Sequence, residues 1–206
     1  MPLKQTPSQT VGPFFAYGLV PEQYGYDLPS LFATSPVRPE AQGQKISVIG
    51  RVFDGDGNPV NDALLEFLQS DAEGLPIASS ANSSANSTAD ITRKGMSGFC
   101  RIGTGTDKQH RFVLDTIKPG AAGANSAPHL NVIVLMRGML MHAFTRIYFD
   151  DEPEANECDE VLQAVPAARR PTLLARLDAG RPGASQPIYR FDIHMQGEQE
   201  TVFFDL

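Results

Sequence analysis

Apolar and polar positions alternate along most of the chain, and the period is that of strands rather than helices. In the segment 46–53, Ile46, Val48, Gly50 and Val52 alternate with Ser47, Ile49, Arg51 and Phe53. The segment 63–69 carries Leu64, Leu65, Phe67 and Leu68, apolar on both sides, as a central strand would be. The clearest strand is 129–136, with His129, Asn131, Ile133 and Leu135 on one face and Leu130, Val132, Val134 and Met136 on the other. Further strands are predicted at 111–115, 143–149, 172–177, 189–195 and 201–206. Between them lie turn formers such as 54–59 (DGDGNP), and a Ser/Asn-rich stretch, 78–98, reads as loop. A helix is predicted over 152–165, with Asp150 and Asp151 as candidate caps, Pro153 in the first turn and Pro166 as the stop.

The first 44 residues differ. They hold seven prolines (Pro2, Pro7, Pro13, Pro21, Pro29, Pro36 and Pro39), which leaves little room for regular structure, yet Phe14, Phe15, Tyr17, Leu19, Tyr24, Tyr26, Leu31 and Phe32 call for burial. The pattern describes an arm laid on a surface. The expected fold class is therefore all-β: an antiparallel β-sandwich core with an extended N-terminal arm and one peripheral helix. The expected division is an arm over 1–44, packing on the core or on a partner, and a β-sandwich domain over 45–206.

Composition narrows the function. The 206 residues have a net charge of −7, so no basic face for nucleic acid is expected. Two cysteines, Cys100 and Cys158, make neither a disulfide framework nor a thiolate cluster. No stretch approaches the roughly 20 apolar residues of a membrane span, and the first 15 residues contain no apolar run, so a cytoplasmic protein is expected.

Among candidate chemical groups, His129 and Asn131 share a strand face. Two histidines there would make a metal pair, but Asn is a poor substitute for imidazole, and His129 reads as a hydrogen-bonded structural residue. His110, His142 and His194 have no neighbour at metal-ligand spacing. Arg137, at the end of an apolar strand and before Gly138, suits either a salt bridge or an anionic substrate. Glu66, flanked by Leu64 and Leu68, reads as a paired carboxylate. Neither a P-loop, a dinucleotide fingerprint nor a serine nucleophile elbow occurs.

Several longer stretches point to a family: TPSQTVGPFF (6–15), GRVFDGDGNPVNDALLEF (50–67), TIKPGA (116–121), APHLNVIVLMRGM (127–139), TRIYFDDEPEAN (145–156) and RFDIHMQGEQETVFFDL (190–206). In these the chain resembles the alpha-type subunits of the intradiol ring-cleavage dioxygenases. The resemblance implies a β-sandwich and a place in a heteromer. The partner would be a beta-type catalytic subunit that holds a non-haem ferric ion (Fe3+) with two tyrosines and two histidines, and further copies of the alpha–beta pair would complete the oligomer. The implied reaction is O2-dependent cleavage of protocatechuate to 3-carboxy-cis,cis-muconate. Another substituted catechol, such as 4-sulfocatechol, is the alternative substrate, and a non-enzymatic β-sandwich binding or scaffold protein is the alternative role.

By the same resemblance, the iron-site positions of this chain are degenerate. Ala122 stands at a ligand tyrosine, Ser126 at a helping arginine, His129 at the first histidine and Asn131 at the second. No catalytic residue is expected here. Thr10, Gly12, Pro13, Phe14 and Arg137 are expected to line the partner's substrate pocket, with Phe14 where a tyrosine is usual.

Overall fold

The alternating segments become strands whose apolar faces meet. The computed structural model describes residues 7–77, 95–178 and 185–205. Its strands are β1 (Lys45–Phe53), β2 (Leu64–Leu68), β3 (Phe99–Gly103), β4 (Arg111–Ile117), β5 (His129–Leu135), β6 (Ala143–Phe149), β7 (Leu174–Leu177), β8 (Ile188–Arg190) and β9 (Ile193–His194). One layer runs β3-β2-β5-β6 and the other β8-β1-β4, with β7 bonded to both β6 and β8. Pairing is largely antiparallel. The contacts β1·β8, β1·β9 and β6·β7 are parallel, which makes the sheet mixed.

Period-2 alternation sends Ile46, Val48, Val52, Leu65, Phe67, Phe112, Leu114, Leu130, Val132, Val134, Ile147 and Phe149 between the layers. Removing that surface from water is the main driving force for the fold. Gly50 is required where the segment after β8 crosses β1: a Cβ there would overlap the Phe191 carbonyl. Among the described residues no helix is long and apolar enough to cross a membrane.

Four expectations need correction. The arm is more regular than its prolines suggest, because Pro13 lies ahead of the first helix and Pro21 falls at a helix start. Pro21 opens a 3-10 turn (Pro21–Tyr24) directly after the helix α1 (Phe15–Leu19). The single helix over 152–165 is two, α2 (Pro153–Cys158) and α3 (Glu160–Ala164). Asp159 breaks the run by taking an extended backbone and accepting a hydrogen bond from Leu162 N at 2.7 Å. Asp150 and Asp151 do not cap α2: Asp150 accepts from Leu177 N, and Asp151 from Tyr189 Oη and Lys118 Nζ. Residues 201–205 form only an isolated bridge, Phe144 with Phe204, instead of a strand. Of the predicted loop, residues 78–94 lie outside the described residues. β3, which follows it, was not anticipated.

The arm covers the outer face of the β2–β5 layer. Ala16 and Val20 pack on Leu64, with Phe15, Leu19, Tyr24 and Leu135 around them. Further along, Phe32 lies against Arg101, whose guanidinium is 4.7 Å from the ring centroid and whose Nε bonds Glu66 Oε1 at 2.6 Å. Glu66 is thus a paired carboxylate.

Candidate functional site

Two places on the outer face carry the residues that the sequence singles out. At the start of β5, His129 and Asn131 project together, facing Tyr148 and Arg146 of β6 in register. The chain turns into this strand through a small-residue loop in which Ala122 is exposed and Ser126 N donates to Gly123 O.

His129, Arg146 and Tyr148 on this face each have a partner. His129 Nδ1 lies 2.8 Å from Ala127 O. Burial, with Arg146 acting in the same direction, pushes the imidazole below its usual pKa despite the Ala127 carbonyl. Arg146 Nη1 donates to Tyr148 Oη at 3.2 Å, and Tyr148 Oη donates to Asp159 Oδ1 at 3.0 Å. Burial raises the Tyr148 phenol to about 12, so it stays a neutral donor. Asp159, itself buried, also accepts from Ala127 N at 2.8 Å through Oδ2.

This set does not fit a ferric ion. An amide and a methyl group replace two ligand types, His129 is engaged by a backbone carbonyl, and a guanidinium stands directly across from Asn131. Among the described residues no group of three or more His, Cys, Asp or Glu side chains could hold a metal. The free thiols add nothing: Cys100 is buried in the core, where burial raises its pKa, and Cys158 is exposed.

The second place is the corner where the arm meets the end of β5. Thr10 Oγ1 accepts from Gly138 N at 2.9 Å, which ties the arm to the residue after Arg137. Gly138 has φ +90°, a turn that glycine makes without strain. Arg137 reaches the other way, and its Nε is ion-paired with Asp62 Oδ2. Gly12 and Pro13 lie exposed in the turn that leads into α1, where Gly12 O accepts from Phe15 N. Phe14 precedes α1 and is 76% exposed. Gln9, Val11, Leu135, Met136, Met139, Leu140, Met141 and His142 line a small hollow of about 150 Å³, and Leu140 and Met141 remain largely exposed beside it.

The structure therefore brings Thr10 and Arg137 to one corner, while His129, Asn131, Ala122 and Ser126 belong to the other end of β5. Sequence reasoning missed Asp62, Arg146, Tyr148 and Asp159. For Arg146 and Tyr148 a signal existed. Two predicted strands joined by a short link form a hairpin, and the i, i+2 pair on one would face the i, i+2 pair on the other. For Asp62 there was none.

Comparisons with known proteins identify the family. The family described as Dioxygenase matches residues 32–197. The protocatechuate 3,4-dioxygenase alpha chain of Burkholderia cepacia is 58% identical over 206 residues, covering 99% of this chain and 98% of that one. The beta chain of the same enzyme and organism is 29% identical over 170 residues, covering 79% of this chain and 68% of that one. The solved dioxygenase domain of a carbohydrate-binding fusion protein from Streptomyces sp. SirexAA-E shares the fold, with TM-score 0.58 and 23% identity over 86% of this chain and 93% of that one. The family match and the 58% identical alpha chain, aligned along nearly all of both chains, show that this chain belongs to the intradiol ring-cleavage dioxygenases, as a member of the alpha-chain type.

Proposed function

We propose that this chain is the alpha subunit of a cytoplasmic protocatechuate 3,4-dioxygenase. Its beta-type partner binds the ferric ion, the catechol substrate and O2, and this chain supplies pocket wall and electrostatics. The arm (1–44) and the β-sandwich (45–206) then have separate tasks. The sandwich carries the degenerate site, and the arm with the end of β5 faces the partner.

One observation carries the reading. Leu140 and Met141 are exposed just after Arg137 at the end of β5, the Arg137 side chain is itself open to solvent, and Phe14 is exposed on the arm. Large exposed apolar side chains next to a fixed cation suit a surface that is covered in an assembly and meets an anionic ring compound there. Thr10, Gly12, Pro13, Phe14 and Arg137 are the residues assigned to that wall. Opening of protocatechuate between its hydroxylated carbons gives 3-carboxy-cis,cis-muconate. The substrate carboxylate is what an arginine at the pocket mouth would attract and orient. Further copies of the alpha–beta pair complete the oligomer.

Oxygen uptake with protocatechuate tests this directly. The chain alone is expected to consume none, and the chain co-purified with its beta-type partner to consume oxygen stoichiometrically with substrate. Turnover by the chain alone would overturn the reading. So would a complex that holds iron in the alpha chain.

A further inference from the structure

Asp62 lies in the 50–67 stretch, in the turn before β2, and its carboxylate is ion-paired with the Arg137 guanidinium. Its backbone is clamped. Thr104, fully buried, donates from Oγ1 to Val60 O at 2.7 Å and accepts from Ala63 N at 3.2 Å, and Thr104 N donates to Ala63 O at 3.0 Å. The segment 60–63 is thus held against the end of β3, and Asp62 has little freedom to follow a moving partner.

Arg137 is fixed at two points. Its root is held because the next residue, Gly138, donates to Thr10 Oγ1, and its Nε is drawn to Asp62 Oδ2 by charge pairing without a formed hydrogen bond. A guanidinium engaged through Nε leaves both Nη groups available, and these form the fork that matches a carboxylate. Exposure supports the same division. The Asp62 side chain is 13% exposed and that of Arg137 55%, whereas the Arg101–Glu66 pair is 17% and 15%. Glu66 and Arg101 bury each other. Asp62 is largely covered while its arginine stays open to a further ligand.

Resting on the pocket-wall role proposed above, we infer that Asp62 is a positioning residue that aims the Nη edge of Arg137 at the anionic ring substituent of the substrate. A pre-aimed guanidinium loses less rotamer entropy on binding than a free one, so the carboxylate gains affinity even though Asp62 cancels the pair's net charge. The ligand chemistry selected is a planar carboxylate able to take two parallel N–H bonds.

The test compares kcat/KM for protocatechuate and for catechol, which lacks the carboxylate, in the assembled alpha–beta complex. Arg137→Met is expected to lower the protocatechuate-to-catechol ratio about tenfold or more, the scale of one charge-assisted hydrogen-bonded contact. Asp62→Asn is expected to lower the same ratio roughly three- to tenfold, mostly through KM. In the double variant the ratio should fall no further than in Arg137→Met, because Asp62 acts only through Arg137. Asp62→Glu, which keeps the charge but displaces it, is the second variant should Asp62→Asn fail to assemble. It should also depress the ratio. An unchanged or raised ratio in the Asp62 variants, with a lowered one in Arg137→Met, overturns the inference and leaves the pocket-wall role standing. An unchanged ratio in Arg137→Met overturns both.

Discussion

Asp159→Ala should be among the most damaging single substitutions outside the apolar core. The carboxylate accepts from Leu162 N, Ala127 N and Tyr148 Oη, and it is 1% exposed. Loss of its cap on α3 costs about 1 kcal/mol. The stranded Ala127 N–H and Tyr148 hydroxyl each add about 1–3 kcal/mol, because buried donors without acceptors keep their desolvation penalty. The sum is roughly 3–7 kcal/mol, which for a chain of this size lowers Tm by on the order of 10–20 °C. Urea unfolding followed by far-ultraviolet circular dichroism measures it. Asp159→Asn should fall between wild type and Ala, since its NH2 must face one of the two backbone N–H donors. Adding Tyr148→Phe to Asp159→Ala should recover part of the loss by removing the stranded hydroxyl. A cost under about 1 kcal/mol for Asp159→Ala, within reach of ordinary surface changes, would refute the idea that this hydrogen-bond network holds the degenerate face together.

Three further outcomes are expected. Phe14→Tyr in the alpha–beta complex should shift the ratio of protocatechuate to 4-sulfocatechol turnover by about two- to tenfold, the value of one hydroxyl hydrogen bond, and an unchanged ratio in steady-state assays would remove Phe14 from substrate selection. Burial works against the charge of Lys118, but bonds to Asp151 and Glu152 outweigh it and raise its pKa from 10.5 to about 12. Its stabilising effect is therefore complete below pH 10.5 and lost as pH rises through about 12, so Lys118→Met should flatten the fall of urea midpoints over that window, and an unaltered slope would count against it. Gly50→Ala should cost about 1–3 kcal/mol or more, because the new methyl would overlap the Phe191 carbonyl and lie 2.9 Å from Phe112 Cζ; unaltered thermal unfolding would show that the crossing can relax.

β5 was legible in the sequence because seven residues alternate strictly and its inward face is Leu130, Val132 and Val134. β3 has the same alternation, but its five residues offer only Cys100 and Ile102 as an inward face, and the burial of both depends on β2 beside it. The break between α2 and α3 was written in Asp159, whose preference for capping competes with helix continuation, yet the apolar spacing across 152–165 hid it. At the site, Arg137 stood out by its place after an apolar strand. The residue that aims it did not, because Asp62 and Arg137 meet only when the turn before β2 is folded against the end of β5. Asn131 was readable as a poor metal ligand beside His129. That Arg146 faces it across the hairpin required the register.

The parallel pairing of β1 with β8 joins Ser47 to Ile188, so one of the first strands made is completed by one of the last. During synthesis β1 has β4 on one side and an open edge on the other until residues 188–194 leave the ribosome. Such distant pairing slows folding, and an unfilled edge invites pairing with other chains. The sandwich therefore closes only once residues 188–194 are available to β1, which favours assembly with a partner after that pairing rather than before it.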